Sequence, residues 1–201
     1  MSSIRVFGFT TALVVAVAAM PGASLAQGAA GPYVSVNAGV LVPRDLDFNI
    51  AGISGSVEFD PNVFLSGAAG YRFGNGIRLE AELAYGRASV KSVSALGVSV
   101  SANADVDILF GTVNAFYDIS TGTIVTPYLG GGLGFAYQNG SGDLSGSETD
   151  FTAFGEVGAA IRVANKVEIV PSYRYLYIDN GGAGFDNFTA HVFKIGARFG
   201  F

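Results

Sequence analysis

Hydrophobic and polar residues alternate with a period of two along most of this chain. In the clearest segment, 77–90, Leu79, Ala81 and Leu83 fall on one parity. Arg78 and Glu82 fall on the other, so this strand would have one apolar face and one charged face. The same alternation predicts eight β-strands, over residues 33–42, 62–73, 77–90, 105–118, 124–137, 152–163, 167–178 and 188–201.

The predicted strands are joined by short and long connectors in alternation. Three short connectors have the composition of tight hairpin turns: 74–76, 119–122 and 164–166. Four longer connectors are polar and glycine-rich: 43–60, 91–104, 138–151 and 179–187. This alternation predicts an antiparallel up-and-down sheet whose two ends face different environments.

The two faces of the strands allow a soluble or a membrane-embedded arrangement. In a soluble barrel the apolar parity would form the core, whereas in a membrane barrel it faces lipid. The predicted strands are 10–14 residues long, which suits tilted strands that cross a bilayer better than strands of soluble proteins. The charged parity is also rich in glycine and alanine, as a narrow interior requires. On the apolar parity, aromatic residues gather at the strand ends, at Tyr71, Tyr85, Tyr117, Tyr137, Phe199 and Phe201. We therefore expect the apolar parity to face lipid.

The first 26 residues have the organisation of an export signal. Arg5 provides a positive charge, residues 6–20 an apolar core, and small residues precede Gln27. The apolar core is shorter than the ~20 residues that a transmembrane helix needs. The sequence therefore predicts a cleaved signal peptide over 1–26 and a barrel domain over 27–201.

Composition argues against several classes of function. The chain has 16 Asp and Glu, 11 Lys and Arg, and no cysteine. Because no basic stripe is visible, we expect no nucleic-acid partner, and without cysteine there is no thiolate metal site. We expect no cofactor and no bound metal. The long connectors carry an excess of acidic residues, which is typical of a solvated exterior or of a recognition surface.

Four segments resemble the small eight-stranded outer-membrane barrels of Gram-negative bacteria, the OmpA-like transmembrane domain and the opacity-type surface proteins. They are GPYVSVNAGV (31–40), TPYLGGGLGFAY (126–137), PSYRYLY (171–177) and the alternating aromatic ending (191–201). The resemblance implies an all-β, eight-stranded transmembrane barrel, expected as a monomer in contact with membrane lipid and lipopolysaccharide. In such families the outer-membrane assembly machinery reads the last strand, and the matching residues here are Phe193, Ile195, Ala197, Phe199 and Phe201.

The charged parity predicts ion pairs inside the barrel, because an eight-stranded barrel is just wide enough for its side chains to fill it. An interior ion-pair cluster is expected from Glu80, Glu82, Glu156, Arg174 and Lys194. A second set of lumen charges is expected towards the periplasmic end: Arg72, Arg78, Arg162, Glu168 and Arg198. These pairs predict a structural plug or, as the OmpA resemblance implies, a switchable gate.

His191 is the only histidine, so any histidine-dependent catalysis would require it. Lipid-A deacylase barrels carry a His-x-Ser on the outward face, but Phe193 occupies the position of that serine here. A remote serine such as Ser172 is the remaining candidate nucleophile. We expect no catalytic residue, and a polar interfacial position for His191.

The sequence therefore predicts a non-enzymatic integral outer-membrane protein that stabilises the envelope and displays surface loops. A small porin or gated ion channel is the alternative, and a lipid-modifying enzyme a more distant one. The sequence names no surface ligand.

Overall fold

The computed structural model describes residues 30–44, 46–50, 53–95, 98–141, 146–179 and 187–201, and these residues are almost entirely β-strand. The strands are β1 (Gly31–Pro43), β2 (Leu46–Ile50), β3 (Ile53–Asp60), β4 (Asn62–Arg72), β5 (Ile77–Ala95), β6 (Val98–Asp118), β7 (Val125–Ser141), β8 (Gly146–Ala164), β9 (Val167–Ile178) and β10 (Phe188–Gly200). Within these ranges no helix is long and apolar enough to cross a membrane. The predicted signal peptide lies outside the described residues.

Eight of these strands close into an antiparallel barrel. Around the wall, β1, β4, β5, β6, β7, β8, β9 and β10 pair in turn, and β10 pairs with β1. The closing register joins Tyr33 to Gly200 and Leu41 to Val192. Closure is required in lipid, because each unsatisfied backbone polar group there costs several kcal/mol. The eight predicted barrel strands are thus confirmed, with ends that differ in part.

The three predicted tight turns lie at one end of the barrel, together with both ends of the described chain. Gly76, Gly122 and Lys166 adopt positive φ angles of 89°, 72° and 67° in these turns. Phe201 donates its backbone N–H to the carbonyl of Pro32 at 3.0 Å, which fixes the end of β10 beside the start of β1. We refer to this end as the periplasmic end and to the opposite one as the extracellular end.

The apolar parity faces outward, as expected. Leu83, Val113 and Phe193 on the outer surface are 68%, 55% and 56% exposed in the isolated chain. On the inner surface, Arg78 and Arg174 are buried. Because exposed apolar side chains alternate with buried charged ones, the surface requires a lipid environment around the barrel.

Two of the predicted loops are wrong, because the strands continue through them. β5 and β6 pair as far as Ala95 with Val98, and β7 and β8 pair as far as Gly140 with Gly146. The Ser and Gly content of segments 91–104 and 138–151 is what predicts loops there. The Val–Ser alternation around Val93 still has the period of a β-strand. The backbone groups of this segment are satisfied by continued pairing of β5 with β6.

The long first connector also contains strand structure. β2 and β3 form a hairpin within the predicted 43–60 loop, and β3 pairs with the upper part of β5 between Gly55 and Asp60. The hairpin therefore extends the sheet of β5 and β6 beyond the barrel wall on the extracellular side.

The barrel interior is apolar towards the extracellular end and charged towards the periplasmic end. The apolar part, which we call the apolar plug, is made of buried inward side chains: Leu41, Phe64, Ala84, Ile108, Phe110, Ala136, Leu176, Ile178, Phe188, Ala190 and Val192. The charged parity predicts the ion pairs of the lumen but not this apolar half. Next to inward Leu41 and Leu176, the outward neighbours Val40, Val42, Tyr175 and Tyr177 are also apolar or aromatic, so the alternation that marks the charged half is weak there.

Candidate functional site

Four charged side chains meet at mid-height in the lumen and form the central cluster: Glu82 on β5, Glu156 on β8, Arg174 on β9 and Lys194 on β10. Arg174 Nη2 lies 2.7 Å from Glu82 Oε2 and 2.8 Å from Glu156 Oε2. Lys194 Nζ lies 3.0 Å from Glu156 and 3.9 Å from Glu82. Each cation therefore lies near both carboxylates, and the two positive charges balance the two negative ones.

Aromatic rings contact the central cluster at its boundary with the apolar plug, to which Phe64 belongs. The Arg174 guanidinium carbon lies 3.6 Å from the ring centroid of Phe154 and 5.7 Å from that of Phe64. Such contacts stabilise a desolvated cation. Arg174 is therefore held by two carboxylates on one side and by aromatic faces on the other.

A second layer of ion pairs, the lower cluster, lies towards the periplasmic end. It contains Arg72, Arg78, Asp118, Glu168 and Arg198. Arg72 bridges Asp118 at 3.1 Å and Glu168 at 2.8 Å. Arg78 lies 2.8 Å from Asp118, and Arg198 lies 3.0 Å from Glu168. Strands β4, β5, β6, β9 and β10 are thus joined across the lumen by buried charge-assisted hydrogen bonds.

Glycines on the inner face make room for the rings that surround Arg78. The guanidinium carbon of Arg78 lies 4.8 Å from the Phe116 centroid and 4.9 Å from the Tyr128 centroid. A Cβ atom at Gly158 would lie 2.6 Å from the Tyr128 ring, which is closer than real contacts permit. The glycine-rich inner parity thus lets aromatic and charged side chains share a narrow cross-section.

Glu80 and Asp118 differ from the predicted clusters, whereas Arg162 lies at the periplasmic end of the lumen as predicted. Glu80, predicted for the central cluster, lies in the lower layer, where it accepts a hydrogen bond from Tyr33 at 2.9 Å and lies 3.8 Å from Arg78. Its place two residues before Glu82 on the same face of β5 puts it one step nearer the periplasmic end. Asp118 was missed, because it ends its strand next to a turn and was not counted with the lumen charges. Arg162 lines a cavity of about 200 Å³ at the periplasmic mouth of the lumen.

The chain is matched by the family model described as "Outer membrane protein beta-barrel domain" over residues 9–201. The chain belongs to this family. A relative named "Outer membrane protein" from Gluconacetobacter diazotrophicus is 27% identical over 230 residues, covering 92% of this chain. The chain spans 61% of the length of that relative.

Solved outer-membrane barrels share the fold. Neisserial surface protein A has a TM-score of 0.64 and 22% identity, covering 87% of this chain and 100% of its own. OprG from Pseudomonas aeruginosa has a TM-score of 0.60 and 17% identity, covering 87% of this chain and 97% of its own. These neighbours share the barrel fold, and the family match identifies an outer-membrane protein of a Gram-negative bacterium, as the resemblance implied.

The terminal strand of this outer-membrane barrel presents its apolar residues to lipid. On β10, Phe193, Ile195 and Phe199 are 56%, 58% and 40% exposed, and Phe201, one residue beyond the strand, is 66% exposed. These are the positions that the family resemblance assigns to recognition by the assembly machinery. Their role in assembly stays a prediction.

His191 of this outer-membrane barrel lies on the outer surface, near the extracellular end of β10. Its Nδ1 is hydrogen-bonded to the Tyr173 hydroxyl at 2.7 Å, and its ring stacks on that of Tyr173. Ser172 belongs to the opposite parity of β9 and lines the lumen side together with Gly158 and Lys194. The barrel wall separates Ser172 from His191, so these two residues do not form a nucleophile and base pair.

An exposed ion pair lies on the outer surface beyond the extracellular end of the apolar band. Arg87 Nε donates to Asp107 Oδ1 at 2.7 Å, and the Tyr85 hydroxyl donates to the same oxygen at 2.5 Å. The hydrogen bond from Arg87 lowers the pKa of the Asp107 carboxyl below its ordinary value. Both partners are solvent-exposed, so this pair adds little to the stability of the fold.

Within the described ranges, no group of three or more His, Cys, Asp and Glu side chains is placed to hold a metal ion.

Proposed function

We propose that this outer-membrane protein is a non-enzymatic structural barrel that displays extracellular β-structure and does not conduct ions at rest. The observation that carries the proposal is the filling of the lumen. Ala136, Ile178 and Val192 of the apolar plug are wholly inaccessible to solvent, although they line the inside of the wall. An ion crossing the barrel would have to leave water to pass them, which is strongly unfavourable.

The charged layers below the plug support the same proposal. Arg78, Asp118 and Arg174 are buried, and each is engaged by opposite charges from other strands. A permeating ion would have to break these pairs, and leaving one partner unpaired costs about 3–5 kcal/mol. The clusters therefore tie the barrel wall together across the lumen.

The extracellular end supports a role in display. β5 continues for ten residues beyond Tyr85, which corresponds to about 33 Å along the strand. β6, β7, β8 and the β2–β3 hairpin accompany it. A rigid barrel that carries a projecting sheet is a suitable scaffold for recognition at the cell surface.

A gated channel is the second candidate, and the geometry of the central cluster is the observation that favours it. Lys194 lies near both carboxylates that hold Arg174, so the pairs could exchange partners without introducing new charges. For conduction, the apolar plug above would also have to open. A structural role with a closed lumen is therefore preferred to a gated channel.

Single-channel recording in planar bilayers separates the two functions. We expect no current steps from the wild-type protein and none from Lys194→Met, in which one cation of the exchange is removed. Reproducible steps from the wild type, altered in size or frequency by Lys194→Met, would establish the channel instead. Folded barrels of this kind migrate differently on a gel when they are not heated. A difference in migration between heated and unheated samples therefore verifies that both proteins are folded.

A further inference from the structure

The outer surface of the barrel carries a polar aromatic patch where β1, β9 and β10 reach the extracellular end. We call it the Arg44 patch: Arg44, Tyr173, Tyr175, Thr189 and His191. The register places His191 opposite Tyr175, and Arg44 follows directly on β1. These five side chains share the outward parity, so they lie side by side on three neighbouring strands.

The side chains of the Arg44 patch contact one another and keep polar groups exposed. The Arg44 and Thr189 side chains lie close to the Tyr175 hydroxyl and interact with it. The Arg44 backbone N–H also donates to the Thr189 carbonyl at 2.9 Å, which holds the start of the connector against β10. His191 stacks on Tyr173 and meets Tyr175 edge-on. The patch is thus a fixed group of donors and rings on the surface.

The height of the patch matches the headgroup region of the outer leaflet. Phe201 at the periplasmic end lies ten residue steps along the chain from His191, nine of them within β10. At about 3.3 Å per residue and a tilt of about 40°, this spans about 25 Å, the height of the lipid-facing band of such barrels. Phe193, just below the patch, is 56% exposed and belongs to that band. The patch therefore lies where acyl chains give way to headgroups.

Charge distinguishes this patch from the other outward arginine at the extracellular end. Arg87 on β5 is neutralised by Asp107 at 2.7 Å. No carboxylate in the described part of the chain pairs with Arg44, and its side chain is exposed. In the long connectors, which are otherwise acidic, Arg44 and Lys91 are the only basic residues. An exposed guanidinium beside hydroxyl groups suits a phosphate, and tyrosine rings suit the faces of sugars.

We propose that the Arg44 patch binds the phosphorylated sugar headgroup of lipopolysaccharide in the outer leaflet. Arg44 contacts a lipid A phosphate, the Tyr175 and Thr189 hydroxyls hydrogen-bond to the phosphate or sugar, and the Tyr173 ring packs against the sugar. The proposal rests on the outer-membrane location and on this surface. It stands whether or not the lumen conducts, so a current in planar bilayers would leave it intact.

The test measures stabilisation by lipid A in phosphatidylcholine bilayers. The unfolding temperature of the wild type should rise as diphosphoryl lipid A is added, because a ligand that binds the folded state stabilises it. Fully dephosphorylated lipid A should give no such rise. Arg44→Gln should raise the lipid A concentration needed for half of the effect about tenfold, as expected for one lost charge-assisted hydrogen bond. Arg87→Gln, the matched control at the other outward arginine of the extracellular end, should behave as the wild type.

Three results would overturn the site. Arg44→Gln with wild-type affinity would exclude a contact to Arg44, and equal losses in Arg44→Gln and Arg87→Gln would indicate non-specific attraction. Loss of the wild-type effect in EDTA would show that metal ions bridge lipid A to the acidic connectors. If Arg44→Gln gives no folded protein on gels, Tyr175→Phe carries the test, with a smaller weakening expected.

Discussion

At the scale of single residues, the interior depends on charges that have no access to water. Arg174 is 2% exposed and is shared by Glu82 and Glu156 on two other strands. The mid-height residues of this cluster could be predicted from the sequence. The alternation of apolar and polar residues gives their parity, and the order of short and long connectors gives the strand directions. The identity of the partners could not, because it depends on how far neighbouring strands are shifted against each other.

Replacing Arg174 tests how much the central cluster stabilises the barrel. Arg174→Met leaves two buried carboxylates with Lys194 as the nearest cation, so the free energy of unfolding should fall by about 3–5 kcal/mol. Urea unfolding in lipid vesicles measures this change. Arg87→Gln removes an exposed arginine of the same type and should leave the unfolding curve unchanged. Equal stability of Arg174→Met and the wild type would contradict the description of the cluster.

Gly158 tests the packing of rings against the inner wall. A Cβ there would lie 2.6 Å from the Tyr128 ring, so Gly158→Val should lower the free energy of unfolding by about 1–3 kcal/mol. Gly155 lies on the same strand but faces outward, and a Cβ there would meet no atom within 4 Å. Gly155→Val is therefore the matched control, and a loss as large as that of Gly158→Val would argue against the packing explanation.

At the scale of elements, period-two alternation located all eight barrel strands but not where they end. Tight turns bound the strands at the periplasmic end, and Gly76 and Gly122 mark two of them in the sequence. At the extracellular end the strands pass into serine- and glycine-rich segments whose pairing is set by the partner strand. For this reason the extensions of β5 and β6 and the β2–β3 hairpin were not predicted.

Hydrogen exchange tests the extension of β5 and β6. The backbone pairing of Val93 with Val100 and of Ser92 with Ser101 should protect amides in 90–104 from exchange relative to an unpaired segment. Mass spectrometry of the protein in bilayers measures this protection. Exchange of the whole 90–104 segment at the rate of an unfolded peptide would show that it is a loop, as its composition predicts.

The last strand is expected to carry information for assembly beyond its packing. Phe201 is 66% exposed, and Phe135, in the middle of β7, is 65% exposed on the same outer surface. Phe201→Ala should lower the amount of protein assembled in the outer membrane, while the melting temperature of the assembled fraction changes little. Phe135→Ala removes a similar side chain and should assemble normally. Similar assembly of both variants would refute a special role for Phe201.

At the scale of the whole molecule, the barrel combines a lipid-facing outer surface with an interior that has two different halves. The charged half could be predicted, because lumen charges alternate with apolar residues along the strands. The apolar plug could not, because the outward neighbours of buried Leu41 and Leu176 are apolar or aromatic as well, so alternation does not mark an inward face there. The closure of the lumen by the apolar plug therefore follows from the structure and could not be predicted from the sequence.

The central claim, a lumen closed by the apolar plug, can be tested directly because the chain has no cysteine. Single cysteines are introduced at Ala136, which is wholly buried inside the barrel, and at Ser147, which is exposed on the extracellular part of β8. Folded protein in bilayers is then treated with a small, charged, thiol-specific reagent. We predict rapid labelling of Ser147→Cys and none of Ala136→Cys until the barrel is unfolded. Labelling of folded Ala136→Cys at a rate close to that of Ser147→Cys would contradict the closed lumen.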